Sequence, residues 1–339
     1  MKLCKKLIAA MLIAAMLLVS VSGLAEIESP EVPDGYDGFV TVTVEAFTIG
    51  WGYIVEPTLV PYHEGETVAQ VTDRLFTTLG IEYIGGTPDE TFYLTGVSCP
   101  QVTNGIQPAV PEYLMEQLEL YPEWAEENLG WSMGGWNGAE NGNGMLGEYD
   151  FSDLAGWMFA EQDVPANMGA GAVPVQENRT YRWMLTIYGY GMDIGMSDGW
   201  GMFPDFDNPA MGVLRSDASE LYALIMADER LSGMVSEGGA AFNEFAAFVD
   251  AMENLASSQE EIDEAMNALL AAIEVDVIPG DVDGDGSLST ADALMILRSA
   301  MQLIVLEGNA FAAADYDGNG SVTVADALVV LRISMGLLN

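Results

Sequence analysis

Two twelve-residue segments near the end of this 339-residue chain carry oxygen side chains at the spacing of a cation-binding loop. They occupy residues 281–292 and 315–326, with Asp, Asn, Ser or Thr at positions 1, 3, 5, 9 and 12. Calcium takes six to eight such oxygens at about 2.3–2.6 Å, whereas magnesium keeps more of its water. The predicted ligands are Asp281, Asp283, Asp285, Ser287 (through its carbonyl), Ser289 and Asp292, then Asp315, Asp317, Asn319, Ser321 (through its carbonyl), Thr323 and Asp326.

The two segments are copies of one loop–helix unit. The pattern Ala-Asp-Ala-Leu-x-x-Leu-Arg occupies residues 291–298 and recurs at residues 325–332, an offset of 34 residues. Gly286 and Gly320 stand at position 6, where the loop must bend sharply. A pair of Asx-rich surface turns is the alternative, but two matched copies argue against it. We expect two calcium ions, and a unit that folds poorly without them.

Residues 280–339 resemble a type I dockerin. The likeness rests on the paired loop–helix segments, on Asp rather than Glu at position 12, and on the absence of a helix before each loop. It implies a small all-α calcium-binding module that binds a cohesin domain of a scaffold protein, often in a cellulosome. Transferred by position, the cohesin-facing residues are Thr290, Ala291, Leu297 and Arg298, then Val324, Ala325, Leu331 and Arg332.

The charge of the chain excludes several kinds of partner. Ten Lys plus Arg against 52 Asp plus Glu give a formal net charge of −42. A chain this acidic lacks the basic surface that nucleic acids or anionic membranes require. The lysines Lys2, Lys5 and Lys6 precede a short apolar run, so residues 1–25 are interpreted as a secretory signal peptide. We expect a secreted bacterial protein, extracellular or at the cell surface, without membrane insertion after cleavage.

Catalytic residues are scarce. His63 is the only imidazole in the chain, and after signal cleavage Cys99 would be the only cysteine. A nucleophilic triad or a zinc site has too few candidates, so no catalytic residue is predicted. A carboxylate pair for glycoside hydrolysis remains open, because acidic residues are abundant.

Residues 38–195 are predicted to form an α+β domain on an antiparallel sheet, because alternating strand patterns flank one helical pattern over residues 68–79. Segments 156–159, 164–171, 181–185 and 189–195 resemble an uncharacterised bacterial domain related to the carboxyl-terminal domain of transcobalamin and intrinsic factor. That resemblance implies corrinoid binding, with Trp157, Met168, Trp183 or Tyr190 against the ligand. Packing of these side chains in the core is the alternative.

The remaining segments are a predicted linker, residues 196–215, and a predicted three-helix bundle that acts as a spacer, residues 216–275. Capping boxes at Asp217/Glu220 and Ser258/Glu261 indicate two helix starts. The whole sequence therefore predicts a multidomain, non-catalytic binding protein anchored to a cohesin scaffold. The alternatives are a carbohydrate-active or accessory component of a polysaccharide-degrading complex, and a corrinoid-binding surface protein.

Overall fold

A computed structural model describes residues 27, 29–88, 92–130, 135–138, 140, 142–196, 202–204, 206–273, 278–284, 287–306 and 308–338, except for the side chains of residues 308, 309 and 312. The chain divides into an amino-terminal unit, Ser29–Ala272, and a carboxyl-terminal unit that contains the described residues from Ile273 onward. The predicted signal peptide lies outside the described residues. In the described ranges, no helix is both long enough and apolar enough to cross a membrane.

A mixed sheet forms the centre of the amino-terminal unit. Its described strands are β1 (Gly38–Glu45), β2 (Tyr53–Tyr62), β3 (Tyr83–Ile84), β4 (Gly96–Val97), β5 (Leu146–Gly147), β6 (Gly156–Glu161), β7 (Val164–Pro165) and β8 (Thr180–Thr186). The main sheet has the order β2-β1-β8-β6-β7, and β3-β4-β5 form a smaller one. The purely antiparallel sheet that we expected is wrong at one pair, because β8 runs parallel to β1 with Thr41 opposite Thr180. The long connection between these strands permits parallel pairing.

One face of the main sheet is covered by the first helix. The helices of this unit are α1 (Val68–Leu79), α2 (Pro100–Thr103), α3 (Glu112–Leu129), α4 (Ser216–Ala227), α5 (Glu229–Val235), α6 (Phe242–Glu253) and α7 (Gln259–Ile273). The apolar period over residues 68–79 predicted α1 correctly, and a capping box of Thr67 and Gln70 begins it. The indole of Trp183 on β8 donates to Thr72 Oγ1 of α1 at 3.0 Å. Alternate residues of β8 therefore face α1.

The opposite face of β8 carries buried charge and meets the start of α4. Arg182 forms a bidentate pair with Glu45, at 2.8 and 2.7 Å, and a second pair with Asp163. Asp163 also accepts the backbone amides of Arg215 at 3.1 Å and Ser216 at 2.8 Å. We call Glu45, Asp163, Arg182 and Arg215 the ion network. It joins two strands and a turn of the sheet to the first residues of α4.

The separate three-helix spacer that we expected is not confirmed. Four helices, rather than three, span residues 216–273, and α4 packs against β1, β2 and β8. The Arg215 guanidinium donates to the carbonyls of Met252 and Asn254 at the end of α6, both at 3.1 Å. Because both faces of β8 are covered, all seven of its residues are buried.

The carboxyl-terminal unit is a small helical module. Its described helices are α8 (Thr290–Ala300), α9 (Gly308–Ala314) and α10 (Val324–Ser334). The expected absence of a helix before each loop is therefore wrong for the second loop, because α9 ends directly before Asp315. α8 packs on α10, and Leu288 and Val322, at position 8 of the two loops, pack against their common core. Gly280 has φ +96°, and a Cβ there would lie 2.7 Å from Val330 Cγ2. The core residues are Val282, Ala293, Ile296, Ala313, Ala314, Ala327 and Val330.

Candidate metal centre

The first loop brings three carboxylates together. One oxygen from each of Asp281, Asp283 and Asp292 lies within 4.8 Å of the other two. The first two residues begin the loop, and Asp292 enters from the first turn of α8. Asp285, predicted at position 5, lies outside the described residues, and Ser287 at position 7 is exposed. Carboxylates from both ends of the segment thus converge, as the spacing predicted.

The second loop repeats this arrangement. Carboxylate oxygens of Asp315, Asp317 and Asp326 also lie within 4.8 Å of one another. The backbone amide of Asn319 donates to Asp315 Oδ1 at 3.1 Å and to Asp317 Oδ1 at 3.2 Å. Gly320 has φ +86° and donates its amide to Asp315 Oδ2 at 2.6 Å. The glycine at position 6 therefore folds the backbone around the carboxylates, and Ser321 follows it on the exposed side.

The aspartate at position 12 is the most constrained carboxylate of each loop. Asp292 is fully buried, and its Oδ1 accepts the amides of Val282 at 2.9 Å and Asp283 at 3.2 Å. Burial raises the pKa of Asp292, but these bonds and those from Ser289 outweigh it and hold the pKa below its usual value. Asp326 has a lowered pKa for the same reasons. Both groups are held ionised, in the form that binds a cation.

The hydroxyls at position 9 begin the helices. Ser289 Oγ accepts the amide two residues on at 3.0 Å and donates to Asp292 Oδ2 at 2.8 Å. In the second copy, Thr323 Oγ1 accepts the Ala325 amide at 3.2 Å and donates to Asp326 Oδ2 at 2.7 Å. Each forms a capping box with the position-12 carboxylate. The sequence predicted these hydroxyls as ligands; the structure gives them a capping role, in which each oxygen accepts two backbone amides, and their contact with calcium stays a prediction.

The donor set fits calcium. Every predicted ligand is an oxygen, and the loops carry four and three carboxylates respectively. Carboxylates within 4.8 Å of one another repel unless a cation lies between them. A hard divalent cation with flexible coordination suits a loop that supplies both carboxylates and carbonyls.

The comparison with protein families identifies this module. The family model of the dockerin type I domain matches residues 279–333, which contain both loops, α8 and α9, and nearly all of α10. The chain contains a type I dockerin domain. Dockerins of this type bind calcium, and the two carboxylate clusters fit that property. No curated protein matches the chain.

The dockerin helices present most of the predicted cohesin-facing residues to solvent. Thr290, Ala291 and Arg298 are exposed on α8, and Val324, Ala325 and Arg332 occupy the equivalent exposed positions on α10. Leu297 and Leu331 are half-buried and pack against the dockerin core. The two leucines therefore contact the core, while the other three residues of each copy are exposed on their own helix.

Sequence reasoning missed one exposed apolar residue on each of these two helices. Leu294 and Leu328 are 46% and 45% exposed, and each lies one helical turn from the alanine and from the arginine of its copy. The signal was present in the sequence, because an apolar residue recurs at the 34-residue offset on the polar side of both helices.

The four candidate ligand residues of the amino-terminal unit separate into two groups. Trp157 and Trp183 are 5% and 3% exposed and belong to the core, and the Trp157 indole donates to the Leu146 carbonyl at 3.1 Å. Met168 and Tyr190 are 54% and 48% exposed. The burial of both indoles does not support the corrinoid hypothesis, because a ligand stacked on them would have to displace core side chains.

Neither His63 nor Cys99 has the surroundings that nucleophilic catalysis requires. The His63 ring stacks on Tyr36 with centroids 4.4 Å apart at the exposed surface. Cys99 is 4% exposed, and burial raises the pKa of its thiol. Among the described residues, the two dockerin loops are the only clusters in which three or more His, Cys, Asp or Glu ligand atoms converge.

Proposed function

We propose that this chain is an exported, non-catalytic binding component that a cohesin holds through the calcium-loaded dockerin. The observation that carries the proposal is the double role of the position-12 carboxylates. Asp292 and Asp326 converge with the other loop carboxylates, and each also accepts from the capping residue that begins its helix.

This double role connects the metal to the binding face. The capping residue of α8 is followed at once by Thr290 and Ala291, and that of α10 by Val324 and Ala325. Calcium supplies the positive charge that holds the loop carboxylates together. The carboxylate that closes the loop then fixes the first turn of the helix, where the exposed face starts. Cohesin binding should therefore require calcium.

Retention of the full chain on an immobilised panel of type I cohesin domains tests this proposal. We expect binding in calcium that is lost in EGTA and lost again in the double variant Asp292→Ala/Asp326→Ala. The matched control is Asp228→Ala, which removes an aspartate cap from α5 in the other unit, where Asp228 Oδ1 accepts the Leu231 amide at 2.9 Å. Binding that survives EGTA, or that the control variant abolishes equally, would contradict the proposal.

The non-catalytic role is supported by the positions of the reactive groups. The single imidazole stacks on a tyrosine, and the thiol is buried. The competing hypothesis is a glycoside hydrolase that uses two of the many carboxylates. Release of reducing sugar from plant or host glycans by the purified chain would establish that alternative and overturn the non-catalytic role.

A further inference from the structure

Three exposed tyrosines lie together on the amino-terminal unit. Tyr93 and Tyr149 are each 61% exposed, and Tyr190 is 48% exposed. They come from three separate loops: before β4, after β5 and after β8. Rings of this size are rarely left in solvent without a partner, and clustered exposed aromatic residues mark binding surfaces.

Backbone hydrogen bonds bring the first two loops together. The Glu148 amide donates to the Thr95 carbonyl at 3.0 Å, next to the pairing of β4 with β5. The Tyr93 hydroxyl donates to Glu148 Oε1 at 2.8 Å, which ties the first ring to the residue before the second. This bond to Glu148, followed by burial, raises the pKa of Tyr93 to about 12, with smaller contributions in the same direction from the Tyr149 and Tyr190 phenols. The two backbone and side-chain bonds to Glu148 place the loops of Tyr93 and Tyr149 next to each other.

The loop that carries Tyr190 is connected to the Tyr149 loop through β6. The Tyr149 amide donates to the Ala155 carbonyl at 3.2 Å, and Gly156 then pairs with Thr186 at the end of β8. Thr186 Oγ1 accepts the Gly191 amide at 2.9 Å, which fixes the loop that carries Tyr190. The ring of Tyr190 packs edge-on against buried Phe203 with centroids 5.7 Å apart.

Two of the three tyrosines have unfavourable backbone conformations. Tyr149 has φ +66° and Tyr190 has φ +51°, in the left-handed region where a residue with a Cβ is disfavoured. Such strain persists where the surrounding structure fixes it, and it is concentrated at binding sites. The surrounding structure therefore holds these two exposed tyrosines in a backbone conformation that a relaxed loop would rarely adopt.

We propose that Tyr93, Tyr149 and Tyr190 form a tyrosine platform that stacks on the pyranose rings of a neutral polysaccharide. This inference rests on the proposed binding role of the chain and names its ligand class. The C–H-bearing faces of pyranose rings are flat and apolar, and they pack on aromatic rings without requiring charge. Glu148 at the edge of the platform is an acceptor for sugar hydroxyls.

Charge separates this ligand class from anionic ones. No lysine occurs after Lys6. The described arginines of the amino-terminal unit form ion pairs or hydrogen bonds with other groups: Arg74 with Glu66, Arg179 with Glu161, Arg230 with Met234, Arg182 with Glu45 and Asp163, and Arg215 with main-chain carbonyls. An acidic polysaccharide would meet Glu148 and no cation, so a neutral chain is the ligand that the platform fits.

The experiment uses the strain at Tyr149 and Tyr190 to separate binding from folding. The full chain, Tyr149→Gly and Tyr190→Gly are compared for retention on cellulose, xylan and mannan. Glycine removes the ring and also relieves the left-handed strain, so Tyr149→Gly should melt no lower than the parent. Tyr190→Gly also loses the contact with Phe203, so its thermal unfolding is measured beside its binding. We expect each to weaken binding about tenfold, the effect of removing one aromatic anchor worth about 1.4 kcal/mol.

Matched controls decide the interpretation. Tyr149→Phe keeps the ring and should bind within about twofold of the parent, and Phe242→Ala removes an aromatic that is 39% exposed on α6. No retention on any of the three neutral polysaccharides, equal loss in Phe242→Ala, or equal binding to polygalacturonate would overturn the tyrosine platform. Cohesin retention is measured on the same samples, so a failure of the dockerin proposal is seen independently.

Discussion

Asp163→Asn tests whether the ion network joins the helices to the sheet. Asp163 pairs with Arg182 and accepts the two backbone amides that begin α4. The network contains two cations, Arg182 and Arg215, and two carboxylates, Glu45 and Asp163, so its charges balance. Asparagine keeps an oxygen acceptor at the helix start but removes one negative charge. The substitution therefore leaves a net positive charge in the interior.

The expected loss of stability follows from the burial of the pair. The side chains of Arg182 and Asp163 are only 7% and 9% exposed, so solvent screens them little. Breaking a buried ion pair by removing one partner costs about 3–5 kcal/mol. In a unit of this size, each 1 kcal/mol shifts Tm by about 2–4 °C. We expect Asp163→Asn to lower the Tm of the amino-terminal unit by about 6–20 °C.

Thermal and urea unfolding followed by tryptophan fluorescence measure this loss. No tryptophan lies after Trp200, so the signal reports only the amino-terminal unit. Glu161→Gln is the matched control, because Glu161 pairs with Arg179 at 3.9 Å near the surface and such pairs contribute about 0–1 kcal/mol. If Asp163→Asn unfolds within about 1 kcal/mol of the parent, or no lower than the control, the network does not hold the helices to the sheet.

Three further outcomes are expected. Gly280→Ala should destabilise the dockerin by more than about 1 kcal/mol, because its Cβ would meet Val330 at positive φ; unchanged calcium-loaded melting would refute this. Cys99 should react with a thiol reagent at pH 8 only after unfolding, because burial raises its pKa; rapid labelling of the native chain would contradict it. Burial raises the pKa of Asp193 to about 7, so its contribution to stability is complete below about pH 4 and falls by up to about 1.4 kcal/mol per pH unit toward pH 7. Urea unfolding of Asp193→Asn at several pH values should not show this fall. Equal pH dependence of the unfolding free energy in the variant and the parent would refute the prediction.

The dockerin loops were predictable because their information is local. A cation loop is specified by which residue types stand at fixed positions within twelve residues, and the copy at the 34-residue offset confirms the pattern internally. The helix over residues 68–79 and the strand starting near residue 38 follow in the same way from periodicity. The capping box of Ser258 and Glu261 is also confirmed, because the Glu261 amide donates to Ser258 Oγ at 3.2 Å and the Ser258 amide donates to Glu261 Oε2 at 2.8 Å.

The rest depends on contacts between distant segments. Helix α4 begins at Ser216 as expected, but its amides are capped by Asp163, more than fifty residues earlier, and not by the predicted box of Asp217 and Glu220. No local pattern shows that an arginine on a strand will be paired inside the protein. The same limit made Trp183 a plausible ligand residue, because its sequence context does not show that α1 covers it.

The arginines of the dockerin give its calcium state a proteolytic signature. Trypsin cleaves only after lysine or arginine, and the lysine-free chain beyond residue 6 offers seven such bonds, at its seven arginines. Arg298 and Arg332 are exposed, yet each lies within a helix whose backbone cannot enter a protease cleft while it stays folded. Fraying of α8 or α10 would expose these bonds to trypsin, so cleavage after Arg298 reports on the first loop and cleavage after Arg332 reports on the second.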